Sequence, residues 1–367
     1  LRRNLRTWIY LLFSAAVSIG VLSYLFSQVP PSEVLRMAVG LRWHGFAAFL
    51  VCSLAMSLFR LWRYDILLRA SGYAAQRFSL FLVVLVRNFF SDLLPARLGT
   101  AVYVYLVTTR LGIPFAAAAS SFAVSLLLDI LAMAPLLLLA GVMLGGSDAL
   151  LIGALVLGIV TLFLWMMLPW VLNVLASQLL RPFWRRYSWA RMLVRAAIGT
   201  RCDLRRMQRA GIYGRVFVLS ILIRLAKYSG MYFLLYALLA PEGYSFGDLS
   251  FARVFIGLSA AELAASTPVS GIAAFGAYEG AWTLAFQLLG FPARIAQLSS
   301  LAHHGITQVC GYGFGLIATL LLLVPRLAVL RPLRRRTLPL ASASVFAIQL
   351  SLALAAWIMA TAFSLQW

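Results

Sequence analysis

Val86–Pro114 reads VRNFFSDLLPARLGTAVYVYLVTTRLGIP, apolar enough for a membrane interior yet carrying Arg87, Asp92, Arg97 and Arg110. Pro95 and Gly99 interrupt it, and a Leu-Gly-x-Pro corner closes it at Leu111–Pro114. A similar plan returns at Ser259–Pro292, with Pro268, Gly271, Gly276 and Glu279 inside and LLGFP at its end. Two broken, charged, Gly/Pro-interrupted segments in corresponding halves of an apolar chain point to a binding or transport site.

The rest of the chain supports a membrane setting. Of 367 residues, 63% are hydrophobic and only 11% charged, with a mean hydropathy of +0.94. A water-exposed surface would need roughly a quarter of the residues charged. The apolar runs have helix length rather than the ten-residue alternation of an outer-membrane barrel. The fold class expected is an all-α polytopic integral membrane protein.

The formal charge of +21 comes mainly from arginines that flank apolar runs. Topology and anionic lipid headgroups account for them better than nucleic acid does, and no nucleic-acid motif accompanies them. Cys52, Cys202 and Cys310 lie far apart, and His44, His303 and His304 are too few for a His-rich metal centre, so neither a disulfide framework nor a cofactor is expected.

Reading outward, Arg2, Arg3 and Arg6 precede an apolar run at Trp8–Phe26, expected as a retained first helix with its N-terminus in the cytoplasm. A second span is expected at Trp43–Phe59, then a basic cytoplasmic loop to Arg77. Residues 78–112 would form a first re-entrant hairpin, since each limb beside Pro95 is short for a crossing. Further spans are expected at Phe115–Ala140, Leu150–Ser177, Val216–Leu239, Ile295–Val324 and Leu338–Phe363. Residues 251–290 would form a second hairpin entering from the opposite face, as an inverted repeat requires. The total is about seven full spans and two hairpins in one domain over residues 1–367. Arg181–Arg215 holds ten arginines and one acid, Asp203, with arginines recurring at four. This reads as an amphipathic cytoplasmic segment on anionic lipid.

Ionisable residues inside the membrane need a partner or a polar cavity. Asn88 and Asp92 have the i,i+4 relation, while Arg87 and Asp92 are one residue too far apart for the best same-face pair. One arrangement pairs Asp92 with Arg87 or Arg97 and leaves the other arginine for a phosphate; the other neutralises the hairpin internally. Glu262 and Glu279 flank the second break and either pair with Arg224, Lys227 or Arg253 or face the cavity. Asp129 is expected to pair with Arg224 across helices. His303 and His304 read as polar packing.

The segment from RLWRYDILL (Arg60–Leu68) through VRNFFSDLLPARLG to LLLDI resembles the lysylphosphatidylglycerol synthase transmembrane, or flippase-like, family. Arg63-Tyr64, Asn88, Pro95-Ala96-Arg97, Gly99, Leu111–Pro114 and Asp129 match its layout, and TPVSGIAAFGAYEG places Glu279 on the family's glutamate. Thr100 stands where the family often has an acid, and Tyr278 where some members have arginine. The resemblance implies a stand-alone member, without the soluble aminoacyltransferase domain, in a bacterial inner (plasma) membrane. It implies transbilayer flipping of a phospholipid, glycolipid or related anionic or aminoacylated envelope lipid, with an envelope-lipid synthase as partner.

On this reading the lipid headgroup meets Arg87, Asn88, Asp92, Arg97 and Glu279. Arg63, Asp129, Arg224, Lys227 and Glu262 line the cavity or couple ions. No catalytic residue is assigned, and a transporter is expected rather than an enzyme. Two other classes stay open: a membrane enzyme acting on a lipid or polyprenyl phosphate, and a non-catalytic scaffold for envelope biosynthesis.

Overall fold

The computed structural model describes residues 20–93, 100–145, 148–179, 183, 188–266 and 275–323. Regular structure among them is helical: α1 (20–28), α2 (Pro31–Val39), α3 (Trp43–Ala70), α4 (Arg77–Leu93), α5 (Thr100–Thr109), α6 (Phe115–Leu131) and α7 (Met133–Met143). There follow α8 (Asp148–Val174), α9 (Ser188–Arg209), α10 (Tyr213–Leu239), α11 (Phe251–Ala265), α12 (Ala277–Leu288) and α13 (Ala293–Leu323).

Five stretches are long and apolar enough to cross a membrane: Trp43–Ala70, Phe115–Met143, Leu151–Gln178, Tyr213–Glu242 and Ala293–Leu322. They coincide with five of the seven spans read from the sequence. Most of Trp8–Phe26 and all of Leu338–Phe363 lie outside the described residues. Phe115–Met143 is interrupted for one residue at Ala132, between α6 and α7. Pro135 accounts for the interruption, because it lacks the N–H that would bond back to the preceding turn.

One boundary differs from the sequence reading. The second span was expected to end at Phe59, yet α3 runs on to Ala70. Leu61, Tyr64, Leu67 and Leu68 are all buried, as a helical stripe demands. Arg60 and Arg63 are buried with them rather than solvated. The helix stops at Ser71-Gly72, where the Tyr73 N–H returns to the Leu68 carbonyl.

Besides α2, and α6 and α7, which together make one span, four described helices are too short to cross about 30 Å of hydrocarbon at about 1.5 Å per residue. They are α4 with 17 residues, α5 with 10, α11 with 15 and α12 with 12. The short helices pack in sequence-adjacent pairs, α4 on α5 and α11 on α12. Each pair leaves through the same device. Gly112 and Gly290 adopt left-handed φ of 65° and 91°, and each stands two residues before a proline that opens the next helix. Only glycine reaches that conformation without strain. The breaks holding Pro95, Arg97 and Gly99 and holding Pro268 and Gly271 lie outside the described residues.

Helices α3 and α10 form an antiparallel spine. Gly45 meets Phe233 and Ala237, Gly230 meets Phe49 and Cys52, and Arg63 meets Ser220. Helix α13 runs antiparallel to α4, with Phe89 against Gly315 and Asp92 beside Gly311. The apolar core divides along these long helices. One cluster joins Phe49 and Tyr228–Leu239 to α11, α12 and the start of α13. The other joins Leu61–Leu68 and Val216 to α4, α5, α6 and the end of α13. The two short pairs therefore sit at opposite ends of one antiparallel spine.

Helix α9 is not a span candidate. Val194, Ala197, Leu204 and Met207 form its buried stripe, while Arg195, Arg205, Arg206 and Arg209 are exposed. Arg201 reaches Asn173 at 2.5 Å and Arg206 the Ser71 carbonyl at 3.3 Å, tying α9 to α8 and to the end of α3.

Candidate functional site

Between the two apolar clusters lies a belt of charged and polar side chains on α3, α4, α6, α10, α11, α12 and α13. Burying them in a low-dielectric interior requires partners, and the helix packing supplies most of them across long sequence separations.

Arg63 and Asp129 make a two-point ion pair at 2.5 and 3.1 Å, and Arg63 also donates to Ser220 at 2.9 Å. This corrects the expected Asp129–Arg224 pairing: α6 turns its acid toward α3. Arg224 feels both Asp129 and Glu262 electrostatically, but its nearest carboxylate is Glu262, at 3.9 Å. Lys227 also bonds Glu262, and the Tyr228 hydroxyl donates to it at 3.1 Å. Of the alternatives left open for Glu262, the structure shows contacts with Arg224 and Lys227 of α10.

A different arrangement holds α4 against α3. Arg60 and Arg87 both donate to the side-chain oxygen of Asn88, Arg87 at 3.2 Å. Among the described residues neither guanidinium has a carboxylate within ion-pair distance. The Nε of each is buried and without a partner. Arg87 turns to its neighbour Asn88 rather than to Asp92, which lies exposed beside Gly311 and Tyr312 of α13. Arg97 lies outside the described residues.

Glu279 opens α12 and is wholly enclosed. One oxygen accepts the Gly276 N–H at 2.7 Å, and the other bonds His304 on α13. Glu279 therefore contacts α13 at one end of the spine, whereas Arg87 and Asn88 contact α3 and belong with the other short pair. No three His, Cys, Asp or Glu side chains among the described residues converge as a metal site would need.

Arg60, His304 and Gln308 were not singled out from the sequence as site residues. Arg60 could have been found. It stands three residues before Arg63 in an apolar run of helical period, so a helix reading of RLWRYDILLR places both arginines beside buried neighbours. The His304–Glu279 contact joins residues 25 apart across a turn and has no local signature.

A bundle with five long apolar helices, two short helix pairs and a buried ionisable belt is that of a multi-pass α-helical membrane protein. The family model for the lysylphosphatidylglycerol synthase TM region matches residues 11–315, most of the chain, and the protein belongs to that family. Membership supports a lipid-translocation function of this general kind and placement in the cell envelope. A search of curated proteins finds no match.

Proposed function

We propose that this protein translocates a lipid with an anionic, phosphate-bearing headgroup, a phospholipid or a related aminoacylated envelope lipid, and that Arg60 and Arg87 receive the phosphate on either side of Asn88. The observation that carries the reading is the convergence of two guanidinium groups on one neutral amide oxygen. Like charges held together without a carboxylate are unfavourable in a poorly solvated site. A phosphate would satisfy both, through the forked geometry that makes arginine a strong anion ligand.

The finer topology belongs to this proposal. The short pairs α4/α5 and α11/α12 are re-entrant hairpins opening to opposite faces, which their lengths and their placement at opposite ends of the spine support. The basic N-terminus and the arginine-rich 181–215 segment lie on the cytoplasmic face, with the exposed arginines of α9 on anionic lipid. The membrane is a bacterial inner membrane.

The test is transbilayer movement of headgroup-labelled phosphatidylglycerol in vesicles carrying the purified protein. Each charge-assisted hydrogen bond contributes about 1.5–3 kcal/mol, so Arg60→Gln and Arg87→Gln should each slow movement roughly tenfold or more. Folded variants that move the lipid at the parent rate would remove the phosphate site from these arginines.

A further inference from the structure

We propose that the Glu279–His304 pair is a proton-binding site whose loading and unloading drives lipid movement; this rests on the translocation reading above.

Glu279 and His304 side chains are 0% and 5% exposed. His304 Nδ1 faces Glu279, and its Nε2 lies 2.7 Å from the Gln308 amide nitrogen. An amide nitrogen only donates, so Nε2 accepts and the proton of the neutral ring sits on Nδ1, shared with the carboxylate. The pair then carries one negative charge, and one added proton makes it neutral. Among the described residues no cation bonds Glu279.

The groups facing the pair favour a proton over a larger ion. Tyr278 on α12 sets its ring 4.4 Å from that of His304, and Phe275, just before α12, sets its ring at 4.5 Å, so among the described residues aromatic rings flank the imidazole. On α13, His303 bonds the Met231 carbonyl of α10 through Nε2 at 3.1 Å. Beyond them stand Glu262 on α11 and Tyr228 on α10, with Lys227 and Arg224 already on Glu262. The Nδ1 of His303 and the hydroxyl of Tyr278 are buried with no partner. The Nδ1 of His303 can accept a hydrogen bond and the Tyr278 hydroxyl can donate or accept one, so each offers a station for a passing proton.

The geometry also ties the proton to movement. Glu279 accepts the N–H of Gly276, a residue at φ 94° where the second break hands over to α12. An ionised carboxylate at this position is held by the amide and by the positive end of the helix. Protonation weakens both attractions and frees the start of α12; deprotonation pins it again. The cycle makes and breaks only an O–H bond. A proton enters from the outer phase, resides on the pair, and leaves to the cytoplasmic phase.

The experiment uses the full chain in phosphatidylglycerol vesicles with a pH-sensitive dye inside. Movement of headgroup-labelled phosphatidylglycerol and internal pH are followed together, with and without an imposed proton gradient. The expected result is several-fold faster lipid movement under the gradient, accompanied by lipid-dependent proton entry. Both the acceleration and the proton entry should be lost in Glu279→Gln and in His304→Gln that match the parent in elution and unfolding midpoint. Parent protein that moves lipid equally with and without the gradient overturns the coupling while leaving translocation intact. So does a Glu279→Gln variant that keeps the acceleration. No lipid movement in either condition overturns translocation and the coupling with it. If the variants misfold, the two parent arms decide alone.

Discussion

Arg63 of α3 and Asp129 of α6 grip each other at two points, 2.5 and 3.1 Å, and the arginine is completely enclosed. A pair this deep is held chiefly by the penalty of separating it. Asp129→Asn leaves a buried guanidinium without its counter-charge, and a loss of about 3–5 kcal/mol is expected. Replacing both residues by leucine should recover most of that loss. Reversible unfolding in detergent micelles measures it, and an Asp129→Asn protein as stable as the parent would mean that Arg63 finds another acid.

Asn88 offers a separation of stability from binding. In Asn88→Asp the shared oxygen becomes a carboxylate between Arg60 and Arg87, so the protein should unfold at a higher temperature. It should also bind anionic lipid less well, since the internal acid now occupies the place of the phosphate. Thermal unfolding and labelled-lipid binding read the two effects. Tighter lipid binding by the aspartate variant would put the headgroup elsewhere.

Gly257 sets how closely α11 lies on α12. A Cβ there would stand 2.7 and 3.1 Å from the Phe286 ring and 3.3 Å from Leu289. Gly257→Ala should therefore lose about 1–3 kcal/mol through overpacking. Phe286→Leu in the same chain should return part of it. Unfolding midpoints of the single and double variants make the comparison.

Asp203, on α9, has its carboxyl pushed above the ordinary 3.8 by burial, opposed by Arg206. The folded chain then binds that proton more tightly than the unfolded one. The charged carboxylate accordingly costs stability at neutral pH, and the cost fades as pH falls through the folded pKa. Asp203→Asn should be more stable than the parent at pH 7 and indistinguishable from it below about pH 3.8. Unfolding midpoints taken across that range decide it.

Much of the architecture could be read because its signals are local. Gly112 with Pro114, and Gly290 with Pro292, announce their corners by residue type alone, since left-handed glycine and helix-opening proline do the same work in any surroundings. The described spans follow from apolar length. Charge misleads the reading at Arg60, which the positive-inside rule puts in a cytoplasmic loop, whereas Asn88 brings it a polar partner inside the bundle as Asp129 and Ser220 do for Arg63. Those partners come from α4, α6 and α10, so only the packed helices reveal them. Glu279 was found as a residue but not its engagement with His304, because that depends on how α12 docks on α13.

The seam between α3 and α10 sets a limit on how such a protein can work. A Cβ at Gly45 would come within 2.8 Å of Ala237, and one at Gly230 within 3.0 Å of Cys52, so the backbones meet where no side chain intervenes. Farther along the same seam, Arg63 clasps both α10 and α6. Sliding these helices past one another would break close packing and a buried ion pair together. The spine is therefore an axle rather than a hinge, and any rearrangement that keeps it intact must move the helices packed around it.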